Sequence, residues 1–316
     1  MVRRKFATLI GIVAALALAA PTAAVTTGQP DNGEHPYVGE LLFYVPDSVD
    51  SRFDDPGSWF SCTGTLLNSK IVVTAGHCAF GIGLNGVSTT RNGADTTAAT
   101  GGALGNDVWI SFDEIPDFSI LPPSSSFGRD QNGDRYLAWS RALNRSSSWH
   151  RGISHPHPLY DDNAFFLHDA GIIELSKAVK GIRTYGRAAG LDYLDRYASA
   201  PRDSQRFEVV GYGLEKVLPI LTEGGDTRRK AEPKLNSLEG NPRDTYIVLS
   251  NNTATGGTCF GDSGGPTFDG TNSNLVVAVT SFGISPNCTG TGGAYRLDQP
   301  DDQAFLATYG VAGVAP

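Results

Sequence analysis

The sequence predicts an all-β protein, a sandwich or barrel of many short strands. Three observations carry this. The apolar segments are short, at 37–45, 62–67, 70–75, 108–112, 170–175, 206–210, 245–249 and 275–282. Clusters of Gly, Pro, Asn, Asp or Ser separate most of them, as strand ends and turns require. Gly supplies 38 of the 316 residues and Pro 18, an excess that favours turns over long helices. With 40% hydrophobic and 18% charged residues, the chain is too apolar to be disordered and too weakly charged for a coiled coil. Its length gives ample core for one large domain or two.

The N-terminus reads as an export signal over residues 1–24. Arg3, Arg4 and Lys5 form a basic start, residues 7–20 an apolar run, and Thr22-Ala23-Ala24 a small-residue cleavage site before Val25. The apolar run is short for a membrane span, and no later stretch approaches 18 consecutive apolar residues. The protein is therefore expected to be secreted, with no membrane partner. Loss of the signal takes the net charge from −8 to about −11, which disfavours a nucleic acid, whose affinity comes from Lys and Arg. It equally disfavours an anionic membrane surface.

Export permits disulfides. Cys62, Cys78, Cys259 and Cys288 allow three pairings. Their two clusters favour pairing 62 with 78 and 259 with 288. There is no C-x-x-C, and nothing points to a metal or another cofactor. Two stretches, 81–105 and 122–148, are expected to be exposed loops. Within the second, Asp130-Gln131-Asn132-Gly133-Asp134 lacks the glycine position and bidentate Glu of a calcium loop. The tail 301–309 is expected to be a short helix with Asp301 or Asp302 as N-cap and Gly310 ending it.

Gly261-Asp262-Ser263-Gly264-Gly265-Pro266 satisfies G-x-S-x-G. In an α/β-hydrolase the acid and His would follow the Ser, but all six His precede Ser263, which excludes that fold. A subtilisin order needs an Asp before the His, and the acids before His77 lie in polar, Pro-containing stretches. The order His, Asp, Ser remains. His77 follows a strand and is tied down by Cys78, as a general base requires. Asp169 opens the apolar segment 170–175, which carries it inward. Asp161 and Asp162 are less suited because nothing apolar flanks them.

These motifs resemble the trypsin/chymotrypsin family of serine proteases. Thr74-Ala75-Gly76-His77-Cys78 is similar to its histidine motif, His168-Asp169-Ala170-Gly171-Ile172 to its aspartate motif, and residues 261–266 are identical to its serine motif. His157-Pro158-Leu159-Tyr160, Gly211-Tyr212-Gly213 and residues 61–67 add weaker matches. The resemblance implies two six-stranded antiparallel β-barrels with the site in the cleft between them. Residues 25–180, with His77 and Asp169, would form the first barrel, and 181–316, with Ser263 and the terminal helix, the second. His77 and Asp169 are 92 residues apart, about twice the family's usual spacing, and the two loops account for the excess.

The resemblance further implies a serine endopeptidase acting on protein or peptide through His77, Asp169 and Ser263. Its oxyanion hole would be the N–H groups of Gly261 and Ser263. Ser281, Phe282 and Gly283 would pair with the substrate backbone. Gly257 and Thr258 would form the base of the specificity pocket, which Gly283 and Gly293 leave open, favouring an apolar or aromatic side chain before the scissile bond. Asp262 would pair with the amine of a processed Val25, whose Val-Thr-Thr-Gly start departs from the family's I-V-G-G. A monomer is expected. The rival readings are a non-catalytic binding protein on the same scaffold and an esterase sharing the nucleophile.

Overall fold

The computed structural model describes residues 25–83, 107–201, 204–218, 221–238, 244–271 and 273–315. The signal segment and most of the expected loop 81–105 lie outside the described residues. A short β1 (Gln29–Pro30) leads into β2 (Val38–Val45), β3 (Ser58–Leu66), β4 (Ile71–Thr74) and β5 (Asp107–Ser111). Helix α1 (Asn132–Arg145) separates these from β6 (Trp149–Pro156) and β7 (Gly171–Leu175). Strands β2–β7 close into a barrel in the order β2-β3-β4-β7-β6-β5. Leu41, Val73, Ile110, Ile172 and Ile173 are fully buried in it. β2 is buried along nearly its whole length rather than on alternate residues. Its outer face is covered too, by a cluster of Leu42, Trp109, Trp149 and, from α1, Leu143.

The second half contains β8 (Arg187–Ala188), β9 (Phe207–Gly211) and a hairpin of β10 (Leu214–Leu218) and β11 (Leu221–Gly224). There follow β12 (Arg229–Ala231), β13 (Leu235–Ser237), β14 (Tyr246–Asn251), β15 (Pro266–Asp269), β16 (Leu275–Gly283), β17 (Gly290–Arg296) and helix α2 (Pro300–Thr308). Among the described residues these give a nine-stranded sheet, β1-β12-β9-β15-β16-β17-β14-β13, with β8 alongside β16. The six strands from β9 to β13 curl until the isolated bridge Arg206–Lys234 joins the starts of the first and last. The expected second barrel is thus a curled, half-closed sheet.

The chain ends cross over. β1 pairs with β12, and Val25 belongs to the core of the second sheet. Phe305, Leu306 and Val311 share a core cluster with Leu41 and Ile172 of the first barrel. Buried polar groups join the halves. Arg228 donates to the carbonyls of Val38 (3.1 Å) and Phe112 (3.0 Å) and, through Nε, to Asp31 Oδ2 (2.8 Å). The Tyr212 hydroxyl lies within hydrogen-bond reach of Asp113 O (2.8 Å) and Val38 O (3.1 Å). His35 lies between Asp31 and Glu208, its Nε2 3.1 Å from Glu208 Oε1.

Two expectations are corrected. Residues 122–148 are not simply a loop, because α1 occupies 132–145 and buries Asn132, Arg135, Tyr136 and Leu143. Its inward face is largely polar and is met in part by local partners: Asn132 Nδ2 donates to Gly57 O (2.7 Å) and Arg135 pairs with Asp50 (3.0 Å). The Arg135 guanidinium also lies 4.3 Å over the Phe53 ring, a favourable cation–π contact. The tail helix is capped by Gln299 with Pro300 at its first position, not by an Asp. Proline's fixed φ suits that position, and Asp301 and Asp302 fall in the first turn, where the helix dipole favours acids.

Candidate active site

β4 is buried throughout and delivers His77 from its end, in the tight turn Gly76–Cys78. Gly76 has no room for a side chain: a Cβ there would lie 2.8 Å from the Tyr160 ring and 3.2 Å from Asp169 Oδ1. The Cys62–Cys78 disulfide ties the turn to β3. Asp169 is fully buried just before β7. It accepts the His77 backbone N–H at 2.9 Å, and its Oδ2 lies 3.0 Å from His77 Nδ1. The Ser281 hydroxyl donates to the same oxygen at 2.6 Å. With Nδ1–H turned to the carboxylate, Nε2 presents its lone pair. Burial alone would pull the imidazole pKa down, but the charge and hydrogen bond of Asp169 outweigh it and hold it above the usual value.

Ser263 rides on a turn fastened to the first barrel. Thr63 N–H donates to Ser263 O at 2.7 Å, and Thr63 Oγ1 to Gly261 O at 3.0 Å. Gly264, at φ 76°, is pressed so close that a Cβ would sit 2.0 Å from Thr74 Oγ1. The serine turn thus lies against the residues that lead to His77. The imidazole and the serine hydroxyl share no hydrogen bond here; such contacts tighten when substrate binds. Gly261 takes φ 98°, open to glycine and strained for other residues. Among the described residues the N–H groups of Gly261 and Ser263 donate to no acceptor.

Asp262 points the other way and is fully buried. Its carboxylate accepts from Gly213 N–H and Cys259 N–H, both at 2.8 Å. Side chains at Gly211 or Gly213 would overlap it, which accounts for the Gly-Tyr-Gly motif. No cation meets it among the described residues, and burial pushes its pKa up to about 7 despite the two amides. Val25 is buried, and Thr26 bridges Gly257. Thr26 Oγ1 donates to Asn251 Oδ1, and Asn251 Nδ2 donates to Thr258 O at 2.7 Å. Val25 and Asp262 share no hydrogen bond or ion pair.

A cavity of about 240 Å³ opens beside Ser263, bounded by Thr258, Phe260, Ser281, Phe282 and Gly283. A narrow cleft of about 10 Å³ is lined by Gly257, Thr258, Gly292, Gly293 and Ala294. No charged residue lines either. Gly293 lines this cleft together with Gly257 and Thr258. It pairs with Phe282, whose ring lies 2.3 Å from where its Cβ would be. Gly292 faces Thr258 Oγ1, which lies 3.2 Å from a built Cβ. At Gly257 the Asn251 side chain would meet a Cβ at 2.4 Å. Phe282 stands edge-on to Phe165 (6.2 Å) and Tyr246 (5.1 Å). A larger cavity, about 800 Å³, is lined by none of these residues.

Thr63, Asn251 and Phe165 escaped the sequence reading, as did the bond from Ser281 to Asp169. Thr63 lies beside Cys62 in a segment already singled out; nothing in the sequence marks Asn251 or Phe165 for these contacts.

A protein-family model described as Trypsin matches residues 137–299, more than half of the chain. The chain belongs to the trypsin family. Solved structures agree on the trypsin fold. HL collagenase, at 15% identity and TM-score 0.57, is aligned over 90% of this chain and 99% of its own. Human heparin binding protein has 15% identity and TM-score 0.54, with 92% and 99% covered. Neuropsin, a serine protease of mouse brain, has 16% identity and TM-score 0.50, with 87% and 92% covered. Among curated proteins, none matches this sequence. No helix among the described residues is long and apolar enough to cross a membrane.

Proposed function

We propose that this trypsin-family protein is a secreted serine endopeptidase whose catalytic residues are His77, Asp169 and Ser263. The observation that carries the reading is the buried Asp169 carboxylate, bonded at once to His77 N–H, His77 Nδ1 and Ser281. In the reaction, Ser263 Oγ attacks the scissile carbonyl and His77 Nε2 takes its proton. The C–N bond then breaks as the imidazolium returns that proton to the leaving amine. Water repeats the sequence on the acyl-enzyme. Asp169 keeps the imidazole oriented and stabilises its charge. The N–H groups of Gly261 and Ser263 meet the oxyanion, each worth about 10²–10³ in rate.

The uncharged cavity beside Ser263 favours an apolar or aromatic residue before the scissile bond. The division into units 25–180 and 181–316 belongs to this reading. So does a processed Val25, whose amine supplies the cation that Asp262 lacks. Incubation with a diverse peptide library, beside Ser263→Ala, tests the proposal. Cleavage by the wild type and a loss of about 10⁴-fold or more in the variant is expected. Cleavage by neither, with Val25 as the N-terminus, moves the assignment to a binding protein on this scaffold.

A further inference from the structure

The backbone around Asp169 is held by the far end of the chain. His168, just before Asp169, has φ 56°, a region a bulky side chain occupies only when its surroundings require it. Its carbonyl accepts Ala170 N–H at 2.8 Å. Its Nδ1 lies 2.7 Å from Asp301 Oδ2, in the first turn of α2. The two atoms are close without the alignment of a hydrogen bond. The ring stacks on His157 at 5.2 Å and 10°. His157 Nε2 in turn lies 4.0 Å from Asp301 Oδ2 and 4.0 Å from Asp302 Oδ1. Phe305 of α2 packs edge-on against His157 at 5.0 Å. His157 N–H donates to Ala170 O at 2.8 Å, so the residues on both sides of Asp169 are tied to this cluster.

The two imidazoles and Asp301 stand close enough to suggest a metal. Hydrogen bonding argues otherwise. His157 Nδ1 accepts Leu159 N–H at 3.2 Å, which places the neutral ring's proton on Nε2. That nitrogen then offers a donor to the carboxylates and no lone pair to a metal, the reverse of the usual ligating arrangement.

We propose that α2 is a positioning element for the reaction: the contact of His168 with Asp301 fixes the left-handed residue that aims Asp169 at His77. His168 and Asp301 are thereby positioning residues. The inference rests on the assignment of Asp169 above. Three donors orient the carboxylate itself, and the α2 contact fixes the chain that presents it. Small misplacements of such groups are costly in rate.

Asp301→Asn removes the charge. His168→Asn removes the imidazole but keeps a residue tolerant of the left-handed region. The readouts are kcat and KM on a cleaved peptide, the thermal midpoint, and the low-field proton resonance of the His77 Nδ1–H bond to Asp169. Each variant is expected to lower kcat about three- to tenfold, leave KM within about twofold, and shift or broaden the resonance. The double variant is expected to be no worse than the worse single one, the signature of coupled residues. A lower thermal midpoint with kcat and resonance unchanged would overturn the proposal. If the wild type cleaves no peptide, the endopeptidase reading fails while the resonance still decides the positioning role: a shift in both variants supports it, and no shift overturns it.

Discussion

Thr63 shows how much one hydroxyl carries at the cleft. It donates to Gly261 O at 3.0 Å and accepts Tyr212 N–H at 3.3 Å, while its backbone holds Ser263. Thr63→Val keeps the shape and removes both bonds. The expected result is a loss of about 1–3 kcal/mol in stability and a fall in kcat of about tenfold with little change in KM, read from steady-state kinetics beside chemical unfolding. Asp262 gives a prediction in pH. Its pKa of about 7 when folded lies above the ordinary 3.8, so the folded state holds the proton longer than the unfolded one. The resulting penalty is absent below about pH 4, grows as the pH rises, and is complete above about pH 7, at roughly 4 kcal/mol. Unfolding a form extended upstream of Val25, beside its Asp262→Asn variant, should show that slope in the first only; a form beginning at Val25 should lose it. Equal slopes in all three would remove the case for an amine partner. At this scale the sequence was most legible where chemistry demands a contiguous motif, as around His77 and Ser263. It was least legible where a residue acts across space: Ser281 donates to Asp169 from 112 residues away, and no motif announces that bond.

The N-terminal segment shows the same physics in an element. Burial alone would raise the Asp31 pKa, but His35 and Arg228 hold it at about 2. Burial alone would lower that of His35, but Asp31 and Glu208 hold it above the usual 6.5. The Asp31 contribution is therefore present above about pH 4 and lost as the pH falls towards 2. The His35 contribution is present below 6.5 and lost as the pH rises through the raised value. His35→Gln should cost about 3 kcal/mol near neutrality, as removal of one partner from a buried pair does. It should also flatten the alkaline limb of the stability profile, measured by denaturant unfolding at a series of pH values. A variant that keeps the wild-type limb would show that another group sets it. Strands of alternating or continuous apolar residues, such as β2 and β16, were readable in the sequence. β6, with its His, Arg, Gly and Pro, and β17, with three glycines, were not, because ladder pairing with neighbours rather than their own propensity makes them strands. α1 was hidden for a related reason: Asn132 and Arg135 occupy inward positions where a helix normally shows apolar residues.

At the scale of the molecule, the polar contacts and the shared core cluster bind the two halves into one unit. Heat or denaturant should unfold the protein in a single transition, with fluorescence and circular dichroism changing together. Neither 25–180 nor 181–316 expressed alone should fold, since each would expose core that its counterpart covers; two separated transitions would show independent domains. The sequence foretold the first barrel and the cleft through the family resemblance, but not the half-closed second sheet, whose seam rests on one short bridge. The crossed ends have a mechanical meaning. A load that pries the halves apart has to break the pairing of β1 with β12 and lift α2 from the first barrel as well as part the shared core. The molecule is in effect buckled at two places. Spreading the halves would have to undo both buckles at once.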